Sequence, residues 1–204
     1  MWGLVESGSI TKIINKPKGL VIGDVRHSRK IFELWSKSEL EAIGIYEVEF
    51  DNTNKKDAQW YINTNQTFTY DADAGTVTAT YGDATAKAHA DTLFTAQDET
   101  DGLGTEGEVA TRGLKYNLIK TVKAQAAGIL QDTDWYIVRK ADAGTAVPSS
   151  ITNHRAAVRT KAAEMETAIT NASDTPALET LYTYTEQEDK SVTRPLGELP
   201  RLES

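Results

Sequence analysis

The sequence predicts a two-part α+β protein: a small β-rich N-terminal domain, a Gly-rich linker and a C-terminal helical hairpin module. Three observations predict it. Up to residue 83, short runs of Val, Ile, Thr, Tyr and Phe are broken by Asn, Asp and Gly, the pattern of strands and turns. Residues 99–113, ETDGLGTEGEVATRG, hold four Gly and little to bury, which suits an extended linker. From Leu114 onward, apolar residues recur at helical spacing.

In the first part, WGLVESGSITKII forms two β-prone runs about the turn Glu6-Ser7-Gly8-Ser9, and GLVIGDVRHSRKIFELW continues in the same manner. SKSELEAIG reads as a short helix. Ser36 caps it, Glu39 three residues on completes a capping box, and Gly44 suits the position just past its end. In IYEVEF, Ile45, Glu47 and Glu49 alternate with Tyr46, Val48 and Phe50, a strand period. AQWYIN, QTFTYD and TVTATYG read as further strands, with turns at Asp51–Asn54, Asn63–Asn65 and Asp71–Gly75.

Residues 84–98 fit one amphipathic helix through Ala86, Ala90 and Leu93, ahead of the linker. In the helical part, Leu118, Val122, Ala126 and Ile129 or Leu130 form one apolar stripe. Pro148-Ser149-Ser150 opens a second helix lined by Ile151, Val158, Ala162, Met165 and Ile169. Asp174 or Thr175 caps a third, with Pro176 in its first turn and Leu178, Leu181 and Tyr182 closing it. Trp135 falls between the first two helices. A Trp there is expected to bury about 200 Å² and to fix the angle of the helical hairpin. The expected parts are residues 1–83, 84–112, 113–182 and an extended polar tail, 183–204.

Charge and composition exclude several classes. The net charge of −8 argues against a nucleic-acid partner, because phosphate contacts need clustered Lys and Arg. The excess is densest in residues 84–112, which carry two basic and six acidic groups. The absence of Cys excludes disulfides, thiolate nucleophiles and Cys-based metal sites. The start, MWGLVESGSI, has neither the basic nor the apolar region of a signal peptide. No window approaches the roughly 18 apolar residues of a membrane span, so no membrane insertion is expected.

ILQDTDWYIVR followed by VPSSITNHRAAVR resembles the C-terminal helical module of tailed-bacteriophage tail proteins. That family includes tail-fibre assembly proteins and small tail-fibre or baseplate-associated proteins. Its pattern is a leucine-rich helix, Thr-Asp-Trp, a proline, and a helix with two arginines four apart. Here these are Leu130, Thr133-Asp134-Trp135, Pro148, and Arg155 with Arg159, over residues 113–182. MWGLVESG and IFELWSKSELEAIGIYEV are similar to virion-associated proteins of environmental phages. The resemblance implies a part of the virion tail, made in the host cytoplasm, with an indirect role at the host surface. The fibre-assembly members usually act as chaperones and are often not retained in the particle.

Candidate chemistry is sparse. His27, His89 and His154 fall in different segments without metal-ligand spacing. GLGTEG, residues 102–107, has a dinucleotide-loop spacing but no preceding strand and no basic neighbour. DADAG, residues 71–75, starts like a calcium loop, yet position twelve is Gly82 where a Glu is required, so a hairpin turn is expected. Asn65-Gln66-Thr67 is a formal glycosylation sequon. Arg155 and Arg159 are expected to pair with the carboxylates at 132–134 or with a neighbouring chain. No cofactor, metal or catalytic residue is expected.

The expectation is therefore a non-enzymatic structural component of a phage tail that contacts other tail proteins as a homo-oligomer, a trimer first. Trp135, Pro148, Arg155 and Arg159 are its structural residues. Assembly contacts are expected in the linker and near Arg194-Pro195-Leu196 and Leu199-Pro200. Deletion of 185–204 is expected to leave both domains folded.

Overall fold

The computed structural model describes residues 1–64 and 66–202, so Asn65 of the sequon lies outside the described residues. The class is mixed α+β, as expected, and the chain divides into two compact units between Thr85 and Ala86.

The first unit contains β1 (Trp2–Glu6), β2 (Ser9–Ile14), β3 (Leu20–Ile22), β4 (Val25–His27), α1 (Ile31–Leu34), α2 (Lys37–Ala42), β5 (Ile45–Asp51), β6 (Tyr61–Ile62), β7 (Thr67–Asp71) and β8 (Thr76–Thr80). Five strands form one curled sheet in the order β2-β1-β5-β8-β7. All its pairs are antiparallel except β5 with β8. The β1–β2 turn places Ser7 at φ 51° and Gly8 at φ 78°, the two left-handed residues of a tight hairpin turn.

Alternation along β1 and β5 gives the sheet two apolar faces. Leu4 and Ile45 pack with Ile14, Leu20, Ile31 and Leu40, under α1, α2 and the β3–β4 hairpin. Val48, Val77 and Ala79 form a second cluster with Tyr46, Phe68 and Tyr70 against it. The capping box of α2 is present. Ser36 accepts from the Glu39 N–H and the Glu39 carboxylate accepts from the Ser36 N–H, which holds the Glu39 carboxyl below its ordinary value. At 71–75 the Asp71 carboxylate accepts from the backbone of Asp73 and Ala74, an ordinary hairpin turn. The strand expected at 58–63 shrinks to β6, because residues 58–60 form a turn that buries Trp60 ahead of the strand residue Tyr61, which is also buried.

The short β9 (Thr85–Ala86) lies at the division. The second unit contains β10 (Thr92–Leu93), α3 (Ala96–Thr100), β11 (Val109–Thr111), α4 (Leu114–Gln131), α5 (Asp134–Ala143), α6 (Ser149–Asn171), α7 (Thr175–Tyr182), β12 (Thr185–Glu186) and β13 (Val192–Thr193). Its spine is the antiparallel pair α4 and α6. Lys115 at the start of α4 donates to the Thr170 carbonyl at the end of α6 (2.8 Å), and Lys123 pairs with Glu166 midway (3.3 Å). Val122 and Ala126 of α4 and Ile151, Val158, Ala162, Met165 and Ile169 of α6 are all buried as their spacing predicts. Asp174 caps α7 by accepting from the Ala177 N–H.

Three expectations are corrected here. Residues 84–98 are not one helix: only Ala96–Thr100 is helical, with Thr95 and Asp98 as its capping box. The Gly-rich stretch is not an extended linker. β10 pairs with β11, Phe94 lies against Gly104, and the Leu114 and Lys115 N–H groups donate to the carbonyls of Ala88 and His89. Its glycines permit close approach. A Cβ on Gly113 would overlap the Ala90 backbone, and one on Gly104 would overlap the Phe94 ring. Nor is 183–202 an extended tail. β12 and β13 form a hairpin, Leu196 is 2% exposed, and its N–H donates to the Leu181 carbonyl.

Candidate functional site

The residues of the Thr-Asp-Trp pattern meet at the corner between α4 and α5. Thr133 is buried. Its hydroxyl donates to the Leu130 carbonyl at 3.0 Å, which closes the last turn of α4. Arg155 reaches this corner from α6. Its Nη1 donates at 2.7 Å to both the Leu130 carbonyl and Thr133 Oγ1, and its Nη2 lies 2.8 Å from Asp134 Oδ1. Arg155 is 7% exposed, an uncommon place for a guanidinium; Nη1 and Nη2 are matched, while its buried Nε has no hydrogen-bond partner. The expected pairing of Arg155 with a 132–134 carboxylate is therefore present. Arg159, one turn on, is exposed. Pro148 occupies the N-cap position of α6, and its carbonyl accepts from the Thr152 N–H at 3.0 Å.

Trp135 is not the buried anchor expected of it. It is 51% exposed on α5, with its ring centroid 3.9 Å from that of Tyr136 and the Arg139 guanidinium 4.6 Å above it. The buried side chains at the corner are Thr133 and Arg155 instead. α5 buries none of its residues, and Ile137 and Val138 are exposed beside Trp135. Gly144 ends the helix in the left-handed conformation, φ 68°.

A second feature is a cleft of about 770 Å³ formed by α4, α6 and the C-terminal segment, lined by Ile129, Met165, Tyr184, Arg194, Leu199 and Arg201 among others. Arg194 is held between the rings of Tyr182 and Tyr184, 5.2 and 5.1 Å from their centroids, and pairs with Glu198 at 2.8 Å. Tyr184 donates to the same carboxylate at 2.6 Å, and that hydrogen bond raises its hydroxyl above the ordinary tyrosine range. Burial raises Tyr182 likewise. Arg194, Leu196 and Leu199 thus belong to the fold of this unit: Arg194 by stacking, Leu196 by burial and Leu199 as a wall of the cleft.

Sequence reasoning missed the burial of Arg155 and of Thr133. Their partners lie 22 and 25 residues apart, beyond any local period. Among the described residues no group of three His, Asp or Glu side chains could hold a metal ion, and no helix is long and apolar enough to cross a membrane. No protein-family model matches the chain, and neither a curated protein nor a solved structure matches it.

Proposed function

We propose that the protein is a non-enzymatic structural component of a bacteriophage tail, at the tail-fibre or baseplate level, bridging neighbouring virion proteins. The observation that carries this reading is the division of labour within the Thr-Asp-Trp pattern. Thr133, Asp134 and Arg155 lock the corner, while Trp135, Ile137 and Val138 stand on a helix that buries nothing of its own. A 10-residue helix is marginal in isolation. Trp135 and Val138, three residues apart, share one exposed side of this helix and Ile137 is exposed on another, and exposed apolar side chains of this kind are what a protein partner covers. On this reading the partners are other tail proteins and further copies of the chain, a trimer first, and the site of residence is the virion.

A second reading, a tail-fibre assembly chaperone not retained in the particle, draws on the same open face, since a transient client would occupy it and leave. Mass spectrometry of purified particles tests both. Presence at a fixed multiple of three or six copies supports the virion part. Absence from particles with abundance in the infected-cell lysate supports the chaperone. Absence from both overturns the two together.

A further inference from the structure

The chain's charge is divided more sharply than its total suggests. Residues 12–30 carry Lys12, Lys16, Lys18, Arg26, Arg29 and Lys30 against the single acid Asp24, a formal +5, which leaves −13 on the other 185 residues. All six cations are exposed. Among the described residues only Arg29 has an ion-pair partner, Glu33 at 3.7 Å. Lys12 stands on β2, Lys16 and Lys18 lead into the β3–β4 hairpin, Arg29 and Lys30 follow it, and Arg26 lies on the hairpin itself. A groove of about 670 Å³ runs along it, lined by Leu20, Val21, Arg26, His27 and Arg29, with Lys18 and Lys30 next in sequence to its walls. Val21 and Val25 stand 56% and 57% exposed beside the charges, and His27 packs edge-on against Trp35 at 5.8 Å. The register pairs Val21 with Arg26 on one face of the hairpin and Ile22 with Val25 on the other, so the groove is a cationic surface with Val21 exposed beside Arg26.

The second unit carries its complement. Residues 98–108, DETDGLGTEGE, hold five carboxylates and no cation. Glu99, Asp101, Glu106 and Glu108 are exposed, and Leu103 stands 65% exposed among them. The loop is preformed: the Leu103 N–H donates to the Asp98 carbonyl at 2.8 Å, and the Gly107 N–H to the Phe94 carbonyl at 3.0 Å. A preformed loop with five carboxylates complements a groove lined and flanked by cations. Both sides are built before they meet, so little ordering cost stands against association.

We propose that the β3–β4 hairpin is the docking surface for the acidic 98–108 loop of a second copy of this chain. The contact joins two different surfaces, so it is head-to-tail and either closes a ring or runs on as a filament. Opposed charges fix its register and speed its formation, and salt weakens it. The inference stands on these surfaces alone, whether or not the protein belongs to a tail.

The test is the mass of the full chain in solution, by sedimentation and light scattering, at about 50 mM and about 500 mM salt, where screening differs several-fold. Oligomers are expected at low salt, with apparent affinity at least about tenfold weaker at high salt. Lys18→Glu/Arg26→Glu/Arg29→Glu is expected to be monomeric. So is Glu99→Lys/Asp101→Lys/Glu106→Lys, although its three reversals change the net charge from −8 to −2 and so relieve general repulsion. Mixed one to one, the unaltered loop of one variant meets the unaltered hairpin of the other and the two reversed surfaces are again opposite in charge, so association is expected to return. If a reversal variant does not fold, Lys18→Gln/Arg26→Gln reads the same contact by a partial loss of affinity. A monomer at every salt, oligomers indifferent to the substitutions, or a mixture that stays monomeric each overturns the proposal.

Discussion

Arg155 and Thr133 bind one another across two helices: Nη1 of the first lies 2.7 Å from Oγ1 of the second, inside the protein. The same nitrogen serves the Leu130 carbonyl, so one guanidinium fixes where α4 stops and how α6 lies against it. Arg155→Met keeps the stem but leaves the buried Thr133 hydroxyl without its donor and the Leu130 carbonyl with only the Thr133 groups. The expected loss is about 1–3 kcal/mol, without credit for the pair to Asp134, whose carboxylate is half exposed. Arg159→Met is expected to stay within about 0.5 kcal/mol. Denaturant unfolding of both variants checks the contrast. Thr133→Val combined with Arg155→Met should fall short of the sum of the singles by about 0.5 kcal/mol or more.

Trp135 is a surface residue that stacks on its own helix. Trp135→Ala is expected to lower stability by only about 0.5–1 kcal/mol, the worth of the exposed stacking with Tyr136 and Arg139. Met165→Ala, in the core between α4 and α6, is expected to cost about 2–5 kcal/mol. Thermal unfolding of the pair decides the matter: a Trp135→Ala loss as large as that of Met165→Ala would mean the indole is an anchor after all.

The C-terminal segment is part of the helical unit. Leu196 is buried and its N–H completes the end of α7. Leu196→Ala is expected to cost about 2–5 kcal/mol, and removal of 185–204 at least as much. Calorimetry of the truncated chain checks this. An unchanged melting temperature for the second unit would restore the idea of a dispensable tail.

The docking of 86–113 carries an acid limit. The Gly113 N–H and then the Arg112 guanidinium hold the Asp91 carboxyl below its ordinary value of 3.8. A folded value below the unfolded one stabilises at pH above the unfolded value, and this stabilisation is lost as pH falls through the lowered one. The segment should therefore hold at neutral pH and loosen only below about pH 4. The amide resonance of Gly113 reports it, and Asp91→Asn should remove the titration. Gly113→Ala forces a methyl into the Ala90 backbone, with an expected loss of about 1–3 kcal/mol at every pH. A Gly113 signal that stays fixed on acidification until the chain unfolds, or that moves equally in Asp91→Asn, would sink the argument.

The parts of the fold that were legible are those with local causes. The stripe of α6, the Ser36–Glu39 box and the Ser7-Gly8 turn each need only a few consecutive residues to declare themselves. The parts that were not legible depend on distant ones. Gly104 and Gly113 look like linker glycines until Phe94 and Ala90 arrive beside them. Ala86, Ala90 and Leu93 keep helical spacing, yet β10 finds β11 and Thr95 starts a separate helix. Residue type alone points to a buried Trp135, and nothing within ten residues tells that the corner is held by Thr133 and an arginine from α6. The basic hairpin was in plain view as composition, but its total was hidden inside a net negative chain.

The parallel pairing of β5 with β8 bears on how the chain is made. β1, β2 and β5 can assemble once Asp51 is free of the ribosome, but the other edge of β5 waits for Thr76–Thr80. At about 5–20 residues per second that edge stays open for a few seconds of synthesis, with Tyr46, Val48 and Phe50 beside it. A nascent chain stalled at Gly75 has no strand to close it. Early termination in this stretch would thus yield a fragment prone to stick to its neighbours, whereas termination a few residues later would yield a finished sheet.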